Sequence, residues 1–182
     1  MKRLVLLLSF AVLPLPLPAQ MPGSDATKVQ REEMKKLDFL VGRWKGQGWV
    51  EMAPGKRETF TQTENVQSKV GGLALLVEGR GTSKLPGSDQ EVTVFEAVGL
   101  LSWDEENRRY RFFSGTTLGR FGESEGRLVP GGFEWGLRTP QGGRVRYTIK
   151  LTEKGEWHEV GEFSRDEKTW KQFHEMTLQR VD

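Results

Sequence analysis

The sequence predicts an all-β protein: one closed, antiparallel, up-and-down β-barrel of about ten strands, with a short N-terminal helix near one mouth. Three observations carry this. About ten short segments alternate in polarity with period two, the pattern of half-buried antiparallel strands. Turn-forming clusters separate most of them, at Pro54-Gly55, Pro86-Gly87-Ser88-Asp89, Pro130-Gly131-Gly132, Pro140-Gln141-Gly142-Gly143 and Lys154-Gly155, with no helical pattern between. Gly42-Arg43-Trp44 opens the first segment and Arg180 closes the last. A barrel that joins its first strand to its last would lay that guanidinium on the Trp44 indole, a stacking and cation–π contact.

Residues 1–19 have the form of a secretory signal peptide: basic Lys2-Arg3, an apolar run from Leu4 to Leu13, and a proline-rich exit ending in Ala19. The apolar run is about ten residues, too short for a bilayer core of roughly 30 Å. No second run of spanning length follows, so the expected product is exported to the periplasm or beyond, without membrane insertion after cleavage. Residues 20–26 form a polar tail, and residues 27–182 the barrel domain. Thr27 and Gln30 have capping-box spacing, which predicts a helix over about 28–38 with Val29, Met34 and Leu37 on its apolar face. Period two then begins. On one segment Phe60, Gln62, Glu64 and Val66 alternate with Thr59, Thr61, Thr63 and Asn65; on another Val145, Tyr147, Ile149 and Leu151 alternate with Arg146, Thr148 and Lys150. The predicted strands are 43–52, 57–68, 73–82, 91–102, 108–116, 119–129, 132–138, 143–153, 156–164 and 169–180.

Charge and cysteine content exclude whole classes. Of 27 Lys and Arg, two fall in the leader, leaving 25 against 25 acidic residues, interspersed along the chain. Such a surface lacks the basic footprint of a nucleic-acid binder. With no Cys there are no disulfides and no lipoprotein acylation, so stability must come from packing.

The stretch Leu37-Asp38-Phe39-Leu40-Val41-Gly42-Arg43-Trp44-Lys45-Gly46-Gln47-Gly48 carries a resemblance, together with Ser164-Arg165-Asp166-Glu167-Lys168-Thr169-Trp170 and Glu175-Met176-Thr177-Leu178-Gln179-Arg180. Over about residues 30–181 the chain resembles a bacterial family of uncharacterised domains of calycin-like, lipocalin-like barrel type, related to nitrobindins and fatty-acid-binding-like proteins. The resemblance implies the barrel fold far more than a function; the expectation of a ligand comes from the width of a ten-stranded barrel, which side chains need not fill. Nitrobindin-like proteins bind haem iron through a lumen histidine near the C-terminus, which here corresponds to His174 on the last strand.

The final hairpin predicts the lumen. A tight turn centred on Asp166-Glu167 would pair Phe163 with Trp170, Gly161 with Gln172, Glu159 with His174 and Trp157 with Met176. The less charged face holds Trp157, Glu159, Gly161, Phe163, Trp170, Gln172, His174, Met176, Leu178 and Arg180, and so should face inward with Trp44. The candidate ligand-binding residues are Trp44, Trp157, Glu159, Gln172, His174, Met176 and Arg180. A carboxylate beside His174 would fix its tautomer and free the other nitrogen for a ligand; an internal hydrogen-bonded pair is the structural alternative. His158 falls on the outer face, and two histidines without Cys make no structural zinc site.

Two motifs point elsewhere only on the surface. Gly122-Glu123-Ser124-Glu125-Gly126 matches a nucleophile elbow but runs into Arg127-Leu128-Val129 and a turn, with no following helix. Ser164 to Trp170 has the look of a hairpin brace in which Ser and Asp side chains tie down the turn. Gly71-Gly72 and Gly79-Arg80-Gly81 are expected as bends or bulges. The functional expectation is an exported barrel that binds a small apolar molecule without catalysis and without a cofactor. Its alternatives are a haem protein using His174, or a filled barrel acting as a structural or interaction domain.

Overall fold

The computed structural model describes residues 27–181, and the expected signal peptide (residues 1–19) and polar tail (residues 20–26) lie outside them. Ten antiparallel strands, each paired with its sequence neighbours, form a sheet that closes by pairing the first strand with the last. They are β1 (Gly42–Ala53), β2 (Lys56–Lys69), β3 (Ala74–Lys84), β4 (Glu91–Asp104), β5 (Arg109–Thr116), β6 (Phe121–Val129), β7 (Gly132–Arg138), β8 (Arg144–Leu151), β9 (Trp157–Ser164) and β10 (Lys171–Arg180). The predicted strands correspond one to one with these, within a few residues at each end.

Closure occurs where the chain ends predicted it. β1 and β10 pair from Trp44 opposite Arg180 to Val50 opposite His174. The Arg180 guanidinium stands 4.2 Å from the Trp44 ring centroid and donates to the carbonyls of Val41 and Phe39. Trp44 is buried, and its Nε1 donates to the Leu40 carbonyl at 2.9 Å. Pairing the last free edges leaves no strand exposed to edge-to-edge association.

A helix, α1 (Lys28–Lys35), and a 3-10 turn over Asp38–Leu40 plug the end of the barrel at which β1 begins. Met34, Leu37 and Leu40 join Trp44, Leu75, Leu101, Tyr110, Phe133 and Leu178 in one buried cluster that fills this half. Such burial, at about 25 cal/mol per Å² of apolar area, is the main source of stability in a chain without disulfides. The Tyr110 hydroxyl donates to the Glu33 carbonyl at 3.0 Å and pins the helix from below. The expected capping box does not form: Thr27 makes no cap bond and accepts from Arg31, while Gln30 donates to the Trp103 carbonyl. Docking onto β4 uses the Gln30 side chain that the box would have used. α1 ends at Lys35, short of the expected 38, and Val29 lies outside the core at 43% exposure.

The last hairpin departs from its predicted register. β9 ends at Ser164 and β10 begins at Lys171, a longer connection than a tight turn, and Lys171 sits opposite Phe163. A β-bulge at Phe173 then inserts a further residue. His174 therefore faces Gly161, Met176 faces Glu159 and Leu178 faces Trp157. The shift of two residues beyond the bulge keeps His174, Met176 and Leu178 on the inner face. The shift of one before it sends Gln172 outward. Trp170, also expected inside, lies on the outer face with the Arg146 guanidinium 3.8 Å from its ring centroid. The predicted brace is present: Asp166 Oδ1 accepts from Ser164 Oγ at 3.0 Å and from the Lys168 and Thr169 amides at 2.9 and 2.8 Å.

Candidate functional site

The helix-capped half of the barrel is filled, so chemistry must come from inward-facing side chains toward the other half. Register places Phe60, Gln62 and Glu64 of β2, Phe112 of β5, Trp135 of β7, Tyr147 of β8, Glu159 of β9, and His174 and Met176 of β10 on the inner surface.

Two buried carboxyls lie at the base of this space. Glu159 Oε2 accepts from Trp157 Nε1 at 3.1 Å, and Glu64 Oε1 accepts from Gln62 Nε2 at 2.7 Å. Trp157 meets Trp44 edge to face at 5.7 Å, and Trp44 is the register partner of Glu64, so the two indoles floor the pair. Room for the Glu64 carboxyl comes from a bare Cα on the next strand. A Cβ at Gly79 would stand 2.7 Å from one of its oxygens, so this glycine, expected at a bend or bulge, lies instead in a regularly paired stretch as the seat of a buried acid. The expected irregularity falls at Gly81, where the β3–β4 register slips. Burial raises Glu64 to about 7 against the opposing Gln62 hydrogen bond. Burial and the nearby Glu64 charge raise Glu159 to about 8, opposed by the Trp157 bond. Among the described residues no basic group acts on either carboxyl.

Above the acids stands a set of rings. His174 stacks on Phe60 at 5.6 Å and meets Tyr147 edge to face at 5.7 Å. Tyr147 stacks on Trp135 at 4.4 Å, and Trp135 meets Phe112 at 5.2 Å. His174 Nε2 is buried without a hydrogen-bond partner, and burial lowers the imidazole to about 4 against the Glu175 charge, so the ring is neutral near pH 7. Burial and the Glu159 charge push the Tyr147 phenol well above its usual range. Among the described residues no three His, Cys, Asp or Glu side chains converge as a metal site would require.

The expected site residues separate accordingly. Trp44, Trp157, Glu159 and Met176 are buried, and His174 joins them through the rings that flank it. Glu159 and His174 are not cross-strand partners; Met176 occupies the position opposite Glu159. Gln172 is outside, donating to Glu175 Oε2 at 2.8 Å, where His158 Nε2 also contacts Glu175 at 3.2 Å. Arg180 is an exposed closure of the barrel seam. Glu64, Gln62 and Tyr147 went unrecognised, although each stands in an alternation visible in the sequence. Ser124 of the elbow-like motif lies mid-strand, paired with Phe112.

The outer wall carries a shallow groove of about 620 Å³ along β2, β3 and β4, lined by Thr63, Asn65, Glu78 and Arg80 and bounded by Phe121. Its polar groups satisfy one another: Asn65 donates to Glu78 at 2.9 Å, and Arg80 to Thr93 Oγ1 with Glu96 3.7 Å away. The inner acids and rings, with hydrogen-bonding capacity left unused, are the better site.

Fold and lumen together define a small closed β-barrel with an acidic, ring-lined interior. The chain belongs to the family described as protein of unknown function (DUF1579), whose pattern matches residues 30–180. Among curated proteins none matches. Among solved structures the chain is similar to Rv2717c from M. tuberculosis, at 12% identity and a TM-score of 0.60, covering 82% of this chain and 97% of that one. It is also similar to the S-type phycobiliprotein lyase CPES from Guillardia theta, at 12% identity and a TM-score of 0.55, covering 84% and 93%. At these identities the likeness is one of fold.

Proposed function

We propose that the protein is an exported barrel that binds a small, mostly apolar molecule in its lumen without transforming it. The observation that carries this reading is the coexistence of an apolar ring wall, Phe112, Trp135 and Tyr147, with the unpartnered Nε2 of His174 on the inner surface of one closed barrel. Apolar walls with a few convergent polar groups are the usual make-up of a small-molecule pocket. Export is supported by the leader pattern of residues 1–19. The shared fold includes a protein named as a lyase, so the barrel by itself excludes neither binding nor chemistry. Against hydrolase chemistry at the elbow-like motif stands the place of Ser124, inside a paired strand.

Native mass spectrometry of protein isolated from its own host tests this. A co-purifying small molecule is expected, displaced when an apolar fluorescent dye is added. Protein of bare mass that also leaves the dye unbound would overturn the proposal.

A second reading, haem held by His174, rests on the same free nitrogen. His174 fits an axial ligand, being neutral and unpartnered. The two acids below it fit haem poorly, because its propionates would add negative charge where no base acts on Glu64 or Glu159. A Soret band on haemin addition, lost in His174→Ala, would establish this reading; an unchanged spectrum in excess haemin removes it.

A further inference from the structure

The lumen holds more unused acceptors than donors. Among the described residues each carboxyl meets one donor, Gln62 at Glu64 and Trp157 at Glu159, and its second oxygen has none. Among the described residues the Tyr147 hydroxyl has no hydrogen-bond partner either, and the Glu159 charge acts on it. His174 Nε2 completes the set. Among the described residues no Lys or Arg contributes to either acid, and the charge of Arg120 in the β5–β6 turn reaches Tyr147. Glu159 is only 6% exposed and Gln62 5%. Two acids enclosed without a cation are costly to bury, and the ordinary remedy is a counter-charge.

Each ligand class can be weighed against that inventory. A carboxylate ligand would bring a third negative group to the pair. A purely apolar ligand would leave the free oxygens unpaired, at about 1–3 kcal/mol for each buried group. A metal ion lacks three converging ligands among the described residues. A protonated amine has three donors and one positive charge, and flat rings attract its cationic end as they pack its apolar body.

Resting on the lumen-binding reading above, we propose that this pocket selects molecules whose polar end is a cationic amine. The ammonium is seated between Glu64 and Glu159, and the flat apolar body lies along Tyr147, Trp135 and Phe112. Without ligand the pair keeps its charge down by holding protons. When an ammonium binds, one carboxyl gives its proton to solvent and becomes the counter-ion, so the enclosed charge stays balanced. The titratable groups facing this exchange are Glu64 from β2, Tyr147 from β8, Glu159 from β9 and His174 from β10, with Arg120 beyond Tyr147.

Isothermal titration of the purified protein with naphthylethylamine, naphthylethanol and naphthylacetate tests this at about pH 6, in two buffers of different ionisation enthalpy. The amine is expected to bind at least about tenfold more tightly than the alcohol, with the acid weakest and with proton release seen for the amine alone. In Glu64→Gln/Glu159→Gln the amine preference over the alcohol and the proton release should vanish. Should that double variant fail to fold, Glu159→Gln alone reads the same ratio. Equal binding of the three probes, or an amine preference that survives the Gln substitutions, overturns the amine proposal and leaves lumen binding standing. Failure of every probe to bind overturns both.

Discussion

The Tyr147 ring meets the His174 imidazole edge to face across Gly161, with centroids 5.7 Å apart and planes at 77°. A Cβ at Gly161 would stand 2.8 Å from Tyr147 Cε1 and 2.9 Å from His174 Cβ, so that bare position is what lets β8 and β10 bring their rings together over β9. Gly161→Ala should cost about 1–3 kcal/mol, as overpacking of a close contact does, measured by urea unfolding. An unchanged midpoint would show that the rings do not meet there.

The lumen acids set a pH dependence. Glu64 and Glu159, at about 7 and about 8, stand above their ordinary value of 4.5. Folded protein thus keeps protons that the unfolded chain releases, so the stability tied to them is complete below the ordinary value and is lost as pH rises through those two values. Thermal unfolding between about pH 5 and about pH 9 should show this decline, worth on the order of 3 kcal/mol for each acid. Glu64→Gln and Glu159→Gln should each flatten it and leave the acidic end unchanged. An equally steep decline in both variants would remove the carboxyls as its cause.

His174 works in the opposite direction. Its folded value of about 4 lies below the ordinary 6.5, so the neutral ring's contribution is present above the ordinary value and is lost as pH falls through the lower one. His174→Phe should keep the ring packing and reduce the acid sensitivity of unfolding. NMR titration of the imidazole checks the premise directly: a midpoint near that of a free histidine would contradict enclosure.

Arg180 should act as a seam clamp. Arg180→Ala removes a cation–π contact with Trp44 and donors to two carbonyls, and is expected to cost about 1–2 kcal/mol in urea unfolding. Arg180→Lys restores the charge without the planar fork and should recover only part of the loss. Full recovery by Lys would make charge alone the reason for the residue.

Much of this was legible from residues alone. Alternation and turn clusters marked the ten strands, and Trp44 with Arg180 marked their closure, because burying one face of a sheet imposes period two and closing a barrel joins its ends. Gln172 could not be placed, since nothing in Gln172-Phe173-His174 announces a bulge, and one inserted residue exchanges the faces of everything before it. Glu64 was visible in its alternation, but a polar run such as Thr59 to Asn65 does not show which side is inward. Phe60 and Val66 on the same side were the available signal. Tyr147 was likewise in view beside Val145 and Ile149, and only the folded barrel brings it to Glu159.

Because α1 and the 3-10 turn stopper one end, traffic to and from the interior must cross the opposite rim, formed by the β1–β2, β3–β4, β5–β6, β7–β8 and β9–β10 connections. The protein is in that sense a vase. On the reading proposed above, changing the length of those five hairpins would recut its neck and alter how fast guests come and go, while the acids and indoles at its bottom would decide which guests stay.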